Sequence, residues 1–243
     1  MPGPLHGALV AFTPSFIGLM PNVIVFQFNP ETITHTWTAA AAAAPADKDS
    51  KPNPLAVKGV PGETFSFTLA VDSNDMIADG SSNPVGATLA QASGVYTRLA
   101  ALEMLQYPTG SSGDGLLGGV SASISSSGLS LSASGSGGAS QTVPQSQVPT
   151  VLFIWGPQRI VPVRVTALTV TERIYDSLLN PSHAEAQITL RVLTPDEIVS
   201  VDGPMQQLAN VAYVYTQGLR QAQAAANLGD AAASIIGMLP TPF

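Results

Sequence analysis

The chain of 243 residues contains no cysteine. Disulfide bonds, thiolate nucleophiles and cysteine-ligated metal sites are therefore excluded. Charge is also scarce: charged residues make up 10% of the sequence, against about 25% in an average soluble domain. Because a soluble monomer needs a charged surface, this scarcity predicts that much of the surface faces other subunits. A compositional bias towards small residues is the alternative explanation.

Basic residues are few, with nine Lys and Arg against 16 Asp and Glu. They form no run, so the sequence predicts no binding to nucleic acid, whose phosphates require clustered Lys and Arg. No apolar run reaches the length of about 18 residues typical of a membrane-spanning helix. The first 20 residues lack the positive charges of a signal peptide. We therefore expect no membrane insertion and a cytoplasmic product.

The sequence patterns of common catalytic sites are missing. His6, His35 and His183 lie in separate segments without the spacing of metal ligands, and we interpret His35 as a core or interface residue. There is neither a G-x-S-x-G elbow nor a phosphate loop that ends in Gly-Lys-Ser/Thr. The sequence therefore predicts a protein that is not an enzyme and that binds no cofactor or metal.

Six segments either alternate apolar and polar residues or are apolar over the length of a strand, which is typical of β-structure. They are 23–28, 33–38, 64–71, 151–155, 161–170 and 184–192. Asn29-Pro30 separates the first two segments. Because the residue before proline avoids the helical region, the chain reverses there, which predicts a hairpin. A bulge or bend is expected near Thr166-Ala167, in the fifth segment.

Helical spacing of apolar residues predicts two helices. The first runs from about Pro84 to Tyr107 and ends at Pro108. The second begins at Pro204, since proline is well placed in a first helical turn. The apolar face of this second helix consists of Leu208, Val211, Tyr215, Leu219 and Ala222. We interpret Trp37 and Trp155 as core residues, because both stand on predicted strands among apolar neighbours.

These patterns predict an α+β, mainly β fold, an antiparallel β-barrel or sandwich with one packed helix and a C-terminal helix. The domain spans 23–200, after an N-terminal extension at 1–22 and before a helix and apolar tail at 201–243. Two insertions interrupt it. One is an excursion rich in alanine and proline at 39–62. The other is a Gly/Ser-rich segment at 109–147, predicted to be flexible, although short alternating runs within it leave open a strand.

The sequence FQFNPET at 26–32 resembles the N-terminal part of the baseplate and tube proteins of contractile, phage-tail-like injection systems. Three later features are similar to the same family in the same order: LAALEML at 99–105, FIWG at 153–156, and YDSLLNP at 175–181 before a last strand. Together they cover most of residues 20–195. The residues that carry the resemblance are Phe26, Phe28, Asn29, Pro30, Glu31, Trp155, Gly156, Asn180 and Pro181.

The resemblance is to the tube-like N-terminal domain of LysM-type baseplate proteins, and no LysM pattern is visible after residue 204. It implies a tube-protein-like β domain that forms a ring-shaped hexamer and connects the inner tube to the spike. The implied partners are further copies of the chain, the inner-tube protein, the spike protein and other baseplate proteins. The implied location is the cytoplasm, within an assembled injection particle.

Two alternatives remain open at the level of sequence. The first is the inner-tube protein itself, although such proteins are usually shorter and lack long insertions. The second belongs to a different class, a secreted β-sandwich that binds carbohydrate or a cell surface. That alternative requires a signal peptide and exposed aromatic side chains, and the sequence pattern predicts neither.

Overall fold

A computed structural model of the chain describes residues 5–15, 18–43, 53, 55–78, 84–107, 119–125, 128–134, 148–201 and 204–236. Within these ranges it contains eleven strands and five helices. The strands are β1 (Ala8–Ser15), β2 (Gly18–Val25), β3 (Ile33–Thr38), β4 (Ala41–Ala42), β5 (Val57–Lys58), β6 (Gly62–Asp72), β7 (Gly119–Ser125), β8 (Gly128–Ser134), β9 (Val151–Ile154), β10 (Ile160–Tyr175) and β11 (Pro181–Val192). The helices are α1 (Ser73–Ala78), α2 (Pro84–Ser93), α3 (Tyr96–Glu103), α4 (Pro195–Ile198) and α5 (Pro204–Ile236).

Seven of the described strands form one antiparallel sheet in the order β2-β1-β9-β10-β11-β6-β3. The predicted α+β, mainly β class is confirmed, with helices packed on an antiparallel sheet and a C-terminal helix. The sheet is not a closed barrel, because β2 and β3 are its two edges and do not pair with each other. Two small ladders, β4-β5 and β7-β8, complete the described β-structure.

The predicted hairpin between 23–28 and 33–38 is wrong. β2 pairs with β1, and β3 pairs with β6, so the two segments stand at opposite edges of the sheet. The sequence does not indicate that β2 pairs with β1. Prolines are rare inside strands, but Pro14 lies in β1 and Pro21 lies in β2.

The segment 1–22 is more than an extension in the structure, since it supplies β1 and the start of β2. β1 lies inside the sheet, between β2 and β9. Leu9 and Ala11 on this strand are fully buried. The first described strand is therefore part of the core, and the predicted boundary at residue 22 falls within a strand.

The sheet is strongly curled, and the residues just after β2 hold the curl. Adjacent strands lie about 4.8 Å apart, so a flat sheet would separate β2 from β6 by about 24 Å. The Phe26 ring nevertheless lies 5.6 Å from the Phe67 ring of β6. Gln27 Nε2 donates to the Asp72 carbonyl at 2.9 Å, and the Asp72 amide donates back to Gln27 Oε1 at 3.1 Å. These contacts bring one edge of the sheet towards the other.

The apolar alternation of β6 and β11 is confirmed as the basis of the core. Phe65 and Phe67 on β6, and Ile188 and Leu190 on β11, are almost completely buried. Burial of such side chains stabilises a fold by about 1.5–3 kcal/mol each. The predicted bulge in the long strand is also confirmed, because the register between β10 and β11 shifts between Val165 and Ala167.

The predicted helix from Pro84 to Tyr107 is two helices, α2 and α3, broken at Gly94. Gly94 has φ +59°, in the left-handed region that favours glycine. A side chain at this position would collide with the carbonyl oxygen of Pro181. The next amide, that of Val95, donates to the same oxygen at 3.0 Å. Gly94 therefore lets the helical segment turn and dock on the start of β11.

The second predicted helix is confirmed as α5, but its apolar face is not the face that the protein buries. Its buried residues include Met205, Ala209, Ala212 and Thr216, whereas Leu208, Val211 and Tyr215 are exposed. Small alanines allow the helix backbone to approach β10 closely. The Thr216 hydroxyl donates to the Ile160 carbonyl at 2.7 Å. Among the described helices none is long and apolar enough to cross a membrane.

The two predicted insertions each contain a short ladder. β4 and β5 pair within 39–62. β7 and β8 pair within 109–147, so the alternating runs of that segment pair with each other rather than with the main sheet. The flexibility predicted for 109–147 stays a prediction. Residues 237–243 of the predicted apolar tail lie outside the described residues.

Gly94→Ala is expected to lower the free energy of unfolding by at least about 2 kcal/mol, because it combines left-handed backbone strain with a clash against Pro181. Urea denaturation measures this change. Gly218→Ala is the matched control. Nothing lies within 4 Å of an added Cβ in that exposed turn of α5, so it should stabilise by about 0.5–1 kcal/mol. Equal effects of the two substitutions would contradict the structural role of Gly94.

Candidate functional site

Three residues of the family-like motifs meet around Gly7. The side-chain oxygen Oδ1 of Asn29 accepts a hydrogen bond from the Gly7 backbone amide at 2.9 Å, and the side-chain nitrogen Nδ2 of Asn29 donates to the Leu5 carbonyl at 2.8 Å. The Phe26 and Trp155 rings lie 6.3 Å apart, and an added Cβ on Gly7 would lie less than 3 Å from both. The start of the described chain is therefore held next to the end of β9 by contacts with Phe26, Asn29 and Trp155.

The other residues of these motifs have different surroundings. Phe28 and Glu31 are exposed and Pro30 is half buried. Gly156 has φ +69° and opens the turn between β9 and β10, where the Trp155 amide donates to the Arg159 carbonyl at 2.8 Å. The predicted core position is confirmed for Trp155, which is half buried in the aromatic cluster.

Asn180 and Pro181 lie at the base of the loop between β10 and β11, which we call the tip loop (residues 174–180). The Asp176 carboxylate accepts hydrogen bonds from the Asn180 amide at 2.8 Å, the Asn180 side chain at 3.0 Å and the Leu178 amide at 2.8 Å. These bonds, the side-chain bond of Asn180 foremost, lower the pKa of Asp176. The loop is thus held in one shape by its own polar groups.

The tip loop contains two left-handed residues that are not glycine, Ile174 (φ 54°) and Leu179 (φ 63°). A β-branched residue at positive φ is strained, at a cost of about 1–3 kcal/mol. Ile174 and Leu179 are nevertheless exposed, together with Tyr175 and Leu178. The fold therefore keeps a strained loop that displays apolar side chains to solvent.

A second site lies at the opposite end of β11, where an ion cluster joins the sheet to α5. Glu63 on β6 is 6% exposed, and both of its oxygens accept hydrogen bonds from the Arg220 guanidinium, one of them at 2.9 Å. His35 Nε2 lies 2.6 Å from the same carboxylate. Because an ionised carboxylate only accepts, the imidazole donates. Residues from β3, β6 and α5 thus share one buried charge.

Burial and charge set the titration of this cluster. Burial raises the pKa of Glu63, but the hydrogen bonds and charge of Arg220 outweigh it and hold the pKa below the usual 4.5. Burial lowers the pKa of His35 below 6.5 in spite of its bond to Glu63, and the charges of Arg159 and Arg220 add to the lowering. His35 is therefore neutral and Glu63 ionised at pH 7.

The cluster opens onto a pocket of about 450 Å³, which we call the Trp37 pocket. Trp37 is 56% exposed, so its interpretation as a core residue is wrong. β3 is an edge strand, and the Trp37 ring lies against His35, with centroids 3.6 Å apart, rather than within the sheet core. Residues of several elements line the pocket: Trp37, Val60, Pro61, Glu63, Val192, Leu193, Thr194, Tyr213, Gln217, Arg220 and Gln221.

The charged groups of this pocket are paired with one another. Both Glu63 oxygens and the Nε2 of His35 are already engaged with one another or with Arg220. Among the described residues no group of three or more His, Asp or Glu side chains could hold a metal ion. What the pocket offers is an exposed indole, an apolar rim and the amides of Gln217 and Gln221.

One sequence feature indicates this cluster. Glu63 is in phase with the inward-facing Phe65 and Phe67 of the same strand, and a carboxylate on the buried side of a strand requires a partner. His35 was correctly interpreted as a core or interface residue. Its partner Glu63 is 28 residues away, and Arg220 is 157 residues from Glu63, so no local pattern could identify the cluster.

Arg220→Met is expected to lower the free energy of unfolding by about 2–3 kcal/mol, because it leaves the Glu63 carboxylate buried without its cation. Denaturation at pH 7 measures the change. Arg173→Met is the matched control, since Arg173 and Glu185 form an exposed ion pair, worth about 1 kcal/mol or less. A loss in the Arg220 variant no greater than in this control would show that the cluster is not stabilising.

The cluster also predicts a pH dependence of stability. The folded-state pKa values of His35 and Glu63 are both lowered, so the unfolded chain binds more protons at acidic pH. Their contribution is complete above pH 6.5, falls as pH drops through the titration of His35, and falls again below 4.5. His35→Gln keeps a donor to Glu63, so its free energy of unfolding should change less between pH 7 and 5 than that of the unaltered protein. An unchanged slope would contradict this assignment.

No protein-family model matches this chain, and no curated protein matches it either. The motifs at 26–32, 153–156 and 175–181 lie within the described residues. Two of these motifs meet around Gly7, and the third forms the tip loop. The tip loop and the Trp37 pocket are two candidate binding surfaces among the described residues.

Proposed function

We propose that this protein is a structural component of the baseplate of a contractile injection system. In this role it forms a ring that joins the inner tube to the spike. It catalyses no reaction. The observation that carries the proposal is the open edge of the sheet at β3. Within the described residues this strand pairs only with β6.

Within the described residues, the β3 edge has few of the features that prevent pairing with another chain. Exposed edge strands are usually protected by lysine, proline, a bulge or a covering element. The sequence of β3, ITHTWT, contains no lysine or proline, and its ladder with β6 has no bulge. At the other edge α3 approaches β2, since Arg98 donates to the Val25 carbonyl at 3.0 Å. The unprotected β3 edge favours pairing between subunits.

Exposed apolar side chains also support an assembled state. Leu208, Val211 and Tyr215 on α5 are exposed by 40%, 64% and 45%, and residues 221–228 of the same helix are all exposed. With 10% charged residues in the chain, these surfaces have little charge to keep copies apart. Contacts with other subunits would bury them.

The resemblance to the tube-like baseplate domain supports the same proposal. Phe26, Asn29 and Trp155, three of the residues that carry it, lie together in one structural unit. The family ring is hexameric and contacts the tube and the spike, so we propose a hexamer with the inner-tube protein, the spike protein and other baseplate proteins as partners. The ring would act in the cytoplasm, as part of the particle.

A second candidate function is binding of a glycan, and the exposure of Trp37 favours it. An indole ring beside the amides of Gln217 and Gln221 can stack on a sugar ring and hydrogen-bond its hydroxyls. The inner-tube protein itself is the third candidate. It differs from the adaptor in its ability to polymerise without the spike.

The first experiment is to measure the mass of the purified chain alone and with the inner-tube and spike proteins encoded near its gene, by light scattering and negative-stain microscopy. The proposal predicts rings, or a stable complex that contains all three proteins. Long tubes from the chain alone would favour the inner-tube protein instead. A monomer at high concentration that binds neither protein would contradict the proposal, and glycan binding would then be screened with Trp37→Ala as the control.

A further inference from the structure

We propose that the tip loop of one copy inserts into the Trp37 pocket of a second copy, which makes a head-to-tail contact. The inference rests on the proposed function for its premise that copies of this chain meet. It goes beyond that function because it names the two surfaces that touch.

The tip loop has the properties of a preformed binding element. Ile174, Tyr175, Leu178 and Leu179 are exposed by 71%, 52%, 76% and 75%, so four large apolar side chains stand in solvent within six positions. Hydrogen bonds between Asp176 and Asn180 hold the loop in one conformation. Since its shape is already fixed, little conformational entropy would be lost on binding.

The loop is also anchored at its base. The Ser182 hydroxyl donates to the Ile174 carbonyl at 2.8 Å, and the Val95 amide donates to the Pro181 carbonyl at 3.0 Å. Backbone strain of the kind found at Ile174 and Leu179 persists only where surrounding structure enforces it, and it concentrates at binding sites. The anchoring and the strain together point to a loop that is shaped for contact.

The Trp37 pocket offers apolar surface to such a loop. Its rim carries the exposed side chains of Trp37 and Val60 beside Pro61, and its floor is closed by Val192 and Leu193, which are buried. A volume of about 450 Å³ lies in the range of small-ligand sites and has room for apolar side chains at a loop tip. Apolar groups of the loop would thus meet apolar groups of the rim.

The charges of the two surfaces are complementary as well. Around the tip loop stand three carboxylates, Glu172, Asp176 and Glu185, and one guanidinium, Arg173. Around the pocket the balance is reversed but smaller, because three guanidiniums (Arg159, Arg191 and Arg220) face two carboxylates (Glu63 and Glu197), of which Glu197 is bonded to the lining residue Thr194. His35 adds no positive charge at pH 7, because burial lowers its pKa. The excess of each sign favours contact between unlike surfaces.

The positions of the two surfaces exclude contact within one copy. The tip loop precedes Pro181, the first residue of β11, and the pocket is lined by Val192, the last residue of that strand. At about 3.3 Å per residue, these ends are about 36 Å apart. A loop at one end and a pocket at the other make a heterologous contact, which closes into a ring or continues as a stack of copies.

Disulfide trapping tests the contact directly, because the chain contains no cysteine of its own. A tagged copy with Leu178→Cys is mixed with an untagged copy carrying Val60→Cys, and mild oxidation follows. The inference predicts a disulfide between tagged and untagged chains at several times the yield of a control pair. In the control, Val85→Cys, an exposed apolar position on α2, replaces Leu178→Cys.

A charge substitution tests whether the contact supports association. Leu178→Asp lies on the exposed loop and should leave the thermal unfolding temperature unchanged, but raise the dissociation constant for self-association by about tenfold or more. Val85→Asp adds the same charge elsewhere and should change neither quantity. Sedimentation velocity of the full chain measures the association.

The two tests separate failure of this inference from failure of the proposed function. Copies that assemble normally with Leu178→Asp, and form no tip-to-pocket disulfide above the control, would overturn the head-to-tail contact while leaving the ring intact. Loss of tube or spike binding in Leu178→Asp, with self-association intact, would also overturn it, because the loop would then belong to another partner. A chain that stays monomeric and binds neither tube nor spike protein would overturn both proposals.

Discussion

The structure depends on the curl of one open sheet. Phe26 packs on Phe67, and Gln27 exchanges two hydrogen bonds with Asp72, so the residues after one edge strand are fastened to the strand beside the other edge. Without this connection the seven strands would spread into a broad sheet with too few covering helices to bury its face. The curl encloses the aromatic core and positions the motif residues around Gly7.

The curl has a second consequence, because it brings the two edges together without joining them. Closure into a barrel would remove both edges, whereas here β3 keeps a single strand partner in the described part of the chain. Glu63 and Arg220 secure this side of the sheet to α5, which stiffens the surface that remains open. An edge held rigidly in place is a suitable template for another subunit, and that property connects the fold with the proposed ring.

Sequence patterns predicted the parts of the fold that depend on neighbouring residues. The alternation in β6 and β11 follows directly from the two faces of a half-buried strand, and the bulge near Ala167 was visible as a break in phase. Sequence patterns did not predict the features that depend on which distant segment a residue contacts. Asn29-Pro30 indicated a change of direction but not that β2 would pair with β1. The helical pattern around Gly94 did not indicate that the helix ends there and that the chain contacts Pro181.

Composition and local pattern were enough to predict a mainly β protein that is poor in charge. This is possible because composition and local periodicity depend on whether each side chain faces solvent or the core. Three features became visible only in the folded chain: the buried face of α5, the exposure of Trp37, and the contact of Glu63 with an arginine 157 residues away. These features arise from contacts between distant segments, whose approach depends on the curvature and strand order of the whole sheet.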